Sequence, residues 1–135
     1  MSARLGSPQG RIILVEDDEA VAGALTFVLV AEGFCVEAFS SAESLLKVAA
    51  DRSPSCIILD QRLGSGLTGV AALKSLRQAG FDWPAILMTT HPSASLRASA
   101  AAAAAEIVEK PDLGDRLLAQ VLRMVAGRGP AAGDT

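Results

Sequence analysis

Five short apolar runs, at residues 12–15, 34–39, 56–59, 85–88 and 107–108, are separated by segments whose apolar residues fall at helical intervals. Val21, Leu25, Val28 and Leu29 mark the first such segment, Leu45, Val48 and Ala49 the second, and Val70, Leu73 and Leu76 the third. Runs such as IILV and CIIL lack the polar alternation of a half-exposed strand, so they suit a parallel sheet buried on both faces. Parallel neighbours need a crossover between them, and right-handed crossovers place helices on each side. The pattern predicts an α/β chain in which βα is repeated five times around a doubly wound sheet.

Boundary signals agree with that order. Ser40 followed by Glu43 is a capping-box spacing ahead of the second helix, and Gly33 and Gly80 stand where helices should stop. Asp112 is the expected cap of the last helix, whose Leu113, Leu117, Val121 and Val125 recur every four residues until Gly127 closes it. Residues 98–105, ASAAAAAA, consist of the best helix former and read as part of a stable fourth helix. With 135 residues the chain has room for one domain, expected over 11–126, with flexible ends at 1–10 and 127–135.

A net charge of −3 argues against attraction of the whole surface to nucleic acid or anionic lipid, and makes a protein the expected partner. The opening MSARLGSPQG lacks the apolar stretch of a secretory signal, and no run reaches the roughly 18 apolar residues of a membrane span. A cytoplasmic protein is expected. Cys35 and Cys56 begin apolar segments, where reduced, buried thiols are the ordinary finding.

In an open parallel sheet, chemistry collects beyond the carboxyl ends of the strands. Those ends carry Glu16, Asp17 and Asp18 after the first run, Asp60 after the third, Thr89 and Thr90 after the fourth, and Lys110 with Pro111 after the fifth. Carboxylates so close together raise one another's pKa unless a cation joins them, and an all-oxygen set suits a hard ion such as Mg²⁺. A lone lysine beside them neutralises one carboxylate and binds a phosphoryl oxygen as a point charge. An aspartate between a metal and a lysine is suited to be the nucleophile of phosphoryl transfer, where catalysis is mainly positioning and charge neutralisation. Acids after strands are also common helix caps, a role open to Asp17 or Asp18. His91, the only histidine, has no second nitrogen ligand or evident Ser or Cys nucleophile available to it, so it is expected in a surface loop or cap.

Across residues 11–126 these segments resemble the response-regulator receiver family of two-component signalling. ILVEDDE looks like the family's acidic strand end, CIILDQRL like its phosphorylated-aspartate strand, ILMTT like its switch-hydroxyl strand, and VEKP like its lysine–proline signature. VEDDEAVAGALTFVLVAEGF is most similar to receivers of the nitrogen-fixation regulator type. The resemblance implies a flavodoxin-like (βα)5 fold with strand order 2-1-3-4-5 and a phosphoacceptor at Asp60. It implies Mg²⁺ held by Asp17 and Asp60, by Glu16 mainly through water, and by the backbone carbonyl of Arg62. Thr89 would hydrogen-bond the phosphoryl group, Lys110 would pair with it, and Pro111 would follow a cis peptide bond. A sensor histidine kinase or phosphotransfer protein would be the donor and a downstream protein the target, with a phosphorylation-dependent dimer as one form of output. Such a chain is a signalling module that catalyses only its own phosphorylation and dephosphorylation. No output domain is expected in it.

Several positions depart from the family pattern. The stretch QRLGSGLT between Asp60 and Gly69 carries Gly64 where proline is common and is one residue longer than usual, so a more mobile loop is expected there. Ile107 replaces the aromatic residue that many members use as an activation switch, and a β-branched aliphatic has no ring to swing. Two other readings compete. A Mg²⁺-dependent aspartyl-phosphate phosphohydrolase of the haloacid-dehalogenase kind would need an acid two residues after Asp60, where Arg62 stands. A phosphorylation-independent adaptor would be favoured by loss of Asp60, Lys110 or the acidic pair, and all are present.

Overall fold

The computed structural model describes residues 10–64, 66–110 and 114–127. Its elements run β1 (Arg11–Val15), α1 (Glu19–Ala31), β2 (Cys35–Phe39), α2 (Ala42–Val48), a 3-10 turn (Ala49–Asp51), β3 (Cys56–Asp60), α3 (Gly69–Gln78), β4 (Ala85–Thr89), α4 (Ala94–Ala102), β5 (Ala105–Glu109) and α5 (Gly114–Gly127). The strands form one sheet in the order β2-β1-β3-β4-β5, and every pairing is parallel. This is the doubly wound, flavodoxin-like (βα)5 architecture expected from the sequence.

Successive strand residues face opposite sides, and the core divides accordingly. Ile13, Val15, Ile57, Leu59 and Leu87 pack with Leu45 of α2, Leu73 and Leu76 of α3, and Ala100 of α4. Ile12, Leu14, Ile58, Ile86, Met88 and Val108 pack with Leu25 and Leu29 of α1 and with Leu117 and Val121 of α5. All five residues of β3 and of β4 are buried, which explains why CIIL and AILM show no polar alternation. A fully enclosed leucine such as Leu14 or Leu59 contributes about 2 kcal/mol by leaving water.

Local chemistry sets the helix ends. Asp18 is the N-cap of α1, its Oδ1 accepting from the Ala20 and Val21 backbone N–H groups at 2.9 and 3.1 Å, so Asp17 is left for another role. Gly33 and Gly80 follow α1 and α3 with φ of 106° and 96°, a backbone that favours glycine. The expected capping box is displaced by one residue. Ser41, not Ser40, caps α2 and receives the Ser44 N–H at 3.1 Å, which leaves the Glu43 carboxylate free to act elsewhere.

Two expectations are corrected. The alanine run does not extend the helix through 105: α4 ends at Ala102, Ala104 turns at φ 59°, and Ala105 already pairs with Ala85 in the sheet. Sheet pairing outweighs a helix preference of a few tenths of a kcal/mol per residue. Cys56 is buried, but Cys35 is exposed, because β2 is an edge strand with one open side. Pro111, Asp112 and Leu113 lie outside the described residues, as do the expected flexible ends apart from Gly10 and Gly127.

Candidate functional site

The sheet register brings the site together. Val15 is level with Leu59 and Asp60 with Met88, so Glu16, Asp60 and Thr89 emerge side by side at the carboxyl edge. Lys110 follows β5 and is held there by its N–H, which donates to the Thr89 carbonyl at 2.8 Å.

Asp60 is buried at 3% exposure, and its Oδ2 lies 2.9 Å from Lys110 Nζ. Its Oδ1 accepts the Arg62 N–H at 3.3 Å. Glu16 is also buried, at 4% exposure. Glu16 Oε2 accepts from the Asp18 N–H at 3.1 Å, while Oε1 is enclosed without a hydrogen-bond partner. Asp17 is exposed at the rim. Carboxylate oxygens of Glu16, Asp17 and Asp60 all lie within 4.8 Å of one another.

Three acids and one lysine leave this pocket short of positive charge. Burial, reinforced by the charge of Asp60, pushes the Glu16 carboxyl up from its ordinary 4.5 to about 7. A buried carboxylate with one oxygen lacking a donor, in a cluster with two further carboxylates, is the arrangement a hard divalent cation would complete. The donor set fits Mg²⁺: oxygen only, with one carboxylate open to solvent.

Glu16 makes the fold sensitive to pH. Between about 4.5 and 7 the folded chain keeps a proton on Glu16 that the unfolded chain releases, so this residue lowers stability progressively as pH rises through that window. Above it the whole effect remains, on the order of 1–3 kcal/mol without divalent cation. Glu16→Gln is therefore expected to come closest to wild type near pH 4 and to exceed it at pH 8 in urea titrations with chelator present. Parallel pH profiles for the two proteins would contradict this.

Thr89 is buried, and its hydroxyl donates to the Thr90 carbonyl at 3.3 Å. That is long for an O–H···O bond, so the hydroxyl is easily redirected to a stronger acceptor. Ile107 lies half-buried, packed against the face of the core that α2, α3 and α4 cover. His91 is exposed, with φ 47°, in the turn before α4, the surface role expected of it. The sequence marked Gly64 only for loop mobility and assigned no role to Gly69, and both have structural duties here. Gly64 brings its backbone near Asp17, where a Cβ would stand 3.4 Å from Oδ2, and Gly69 packs directly on the Asp60 carbonyl.

Comparison with known proteins agrees with this geometry. The family model described as response regulator receiver domain matches residues 12–122. The transcriptional regulatory protein FixJ of Bradyrhizobium diazoefficiens is 32% identical over 125 residues, 92% of this chain and 60% of its own length. FixJ of Azorhizobium caulinodans is 31% identical over 89% of this chain and 56% of its own. The chain thus spans less than two-thirds of these relatives. Among solved structures, full-length FixJ from B. japonicum superposes with a TM-score of 0.83 at 31% identity, over 94% of this chain and 63% of that one. A response regulator from Chloroflexus aurantiacus superposes at 0.79 with 27% identity, over 89% of this chain and 99% of that one. Fold, strand-end residues and these likenesses agree, and the chain belongs to the response regulator receiver domain family of two-component signalling.

Proposed function

We propose that this receiver domain accepts a phosphoryl group on Asp60 in a Mg²⁺-dependent reaction and signals by the change of shape that follows. The observation that carries the reading is the Asp60 carboxylate itself, buried, paired with Lys110 at 2.9 Å and within 4.8 Å of carboxylate oxygens of Glu16 and Asp17. Glu16, Asp17, Asp60 and the Arg62 carbonyl would hold Mg²⁺, which when bound supplies charge neutralisation to the acids and to the transferring phosphoryl group.

The chain's own groups account for the remaining chemistry. An Asp60 oxygen forms a bond to phosphorus as the bond to the donor breaks, a P–N bond to a kinase or phosphotransfer histidine or a P–O bond to a small acyl phosphate. Lys110 exchanges the carboxylate for a phosphoryl oxygen, remaining paired throughout. Thr89 turns its hydroxyl from the Thr90 carbonyl toward the same group. Because Ile107 has no ring to move into vacated space, output passes through backbone displacement of 90–96 and of α4. A downstream protein reads that surface, and the domain works as a signalling module rather than a turnover enzyme. Among the described residues no helix is long and apolar enough to cross a membrane.

Incubation with acetyl phosphate and Mg²⁺ tests the reading. Intact-protein mass spectrometry is expected to show a single phosphate-sized adduct that needs Mg²⁺ and is lost in alkali, as an acyl phosphate is. An unmodified mass after prolonged incubation with excess donor would favour the phosphorylation-independent adaptor.

A further inference from the structure

The loop between β3 and α3, expected from the sequence to be mobile, is tied on its far side to α2. Glu43, in the first turn of α2, extends its carboxylate to this loop, where Oε2 accepts the Leu67 N–H at 3.0 Å. The approach requires Gly66: a Cβ there would stand 2.8 Å from Oε2 and 2.9 Å from Oε1. The donated hydrogen bond holds the Glu43 carboxyl below its ordinary 4.5, so the contact is charge-assisted at neutral pH.

The same loop borders the phosphoryl site. Its Gly64 sits against the Asp17 carboxylate with φ 67°, and its Arg62 N–H reaches Asp60 Oδ1. Gln61 secures the points where the loop leaves β3 and enters α3: its carbonyl accepts from Gly69 N–H at 3.1 Å and its Oε1 from Val70 N–H at 2.9 Å. Between those points Glu43 ties Leu67 to α2, next to Gly66, whose N–H donates to the Leu63 carbonyl at 3.4 Å. A segment ordered in advance need not be ordered when a ligand binds, and affinity rises by the difference.

We propose that Glu43 is a positioning residue for the phosphorylation site, anchoring the loop through Leu67 and Gly66 so that the Arg62 carbonyl and Gly64 stay aligned with Asp60 and Asp17. This inference rests on the Mg²⁺-dependent reading above. It assigns a task in the site to a residue of α2, an element that contributes no group to the acid and lysine cluster.

The test measures Mg²⁺ affinity by calorimetry, and acetyl phosphate labelling rate against Mg²⁺ concentration, for wild type, Glu43→Ala, Glu43→Gln, Gly66→Ala and the double variant Glu43→Ala/Gly66→Ala. Glu43→Ala is expected to weaken Mg²⁺ on the order of tenfold, the low end for losing a group that orients metal ligands. Its rate at saturating Mg²⁺ should stay within about twofold of wild type, because no reacting group is lost. Glu43→Gln keeps an amide oxygen for the Leu67 N–H and should recover most of the affinity. Gly66→Ala pushes the carboxylate away and should resemble Glu43→Ala, and the double variant should be no worse than either, since both remove one contact. Wild-type Mg²⁺ affinity in Glu43→Ala, or additive losses in the double variant, would overturn the assignment while leaving the proposed function standing. Failure of wild type itself to bind Mg²⁺ would overturn both.

Discussion

Asp60→Asn is expected to remain folded and to take no phosphoryl group from acetyl phosphate. The amide has no anionic oxygen to attack phosphorus, and deleting the nucleophile of a built site removes at least on the order of a thousandfold in rate. The fold should tolerate the change, because two effects oppose. Removing one of three crowded carboxylates relieves repulsion on Glu16, whereas Lys110 Nζ, now 2.9 Å from the charged Oδ2, keeps only a neutral amide oxygen as partner. Lys110 retains access to water, with a quarter of its side chain exposed, so that loss is screened and the net change should stay within about 1 kcal/mol. Mass spectrometry after acetyl phosphate treatment and a thermal melt check both halves. Undiminished labelling of the variant, with the adduct mapped to Asp17, Glu16 or His91, would show that Asp60 is not the acceptor.

How far this site was legible in the sequence depended on where each residue's partners lie. Glu16, Asp60, Thr89 and Lys110 could be found because strand ends in a parallel sheet share one edge, and the apolar runs mark those ends to within a residue or two. β3 and β4 were plain since burial on both faces leaves no polar interruption. Glu43 was misjudged for the opposite reason: Ser40 and Ser41 offer the same capping chemistry one residue apart, and only the packing of α2 decides between them. The alanine run misled because helix propensity is local, whereas pairing of β5 with β4 is not. Cys35 read as buried because an edge strand and a central one can begin with similar residues. By residue type alone Asp17 and Asp18 were both open to a cap role; the resemblance chose Asp17 for the metal, and the α1 cap takes Asp18.

Gly69 shows what sequence cannot disclose, and it carries the largest expected effect on stability. As the first residue of α3 it sits under the phosphoacceptor strand, with its N–H donating to the Gln61 carbonyl at 3.1 Å. A Cβ at this position would collide with the Asp60 carbonyl oxygen and stand 2.8 Å from Leu87 Cδ1 and 3.0 Å from the Asp60 carbonyl carbon. The leucine can yield, but the Asp60 backbone cannot without shifting β3, whose residues are all buried. Alanine's helix preference over glycine is worth at most about 1 kcal/mol, against roughly 1–3 kcal/mol for overpacking a core, here at its upper end because the obstacle is backbone. Gly69→Ala should therefore lose stability on balance, lowering Tm by several degrees. It should also slow acetyl phosphate labelling, on the order of tenfold or more, because displacing Asp60 misaligns the nucleophile with Lys110. Gly23 supplies the control: it lies within α1 with nothing inside 4 Å of its Cβ position, so Gly23→Ala should gain up to about 1 kcal/mol and leave labelling untouched. If Gly69→Ala melts at or above the wild-type temperature and labels at the wild-type rate, the close approach of α3 to Asp60 is not a constraint on the site.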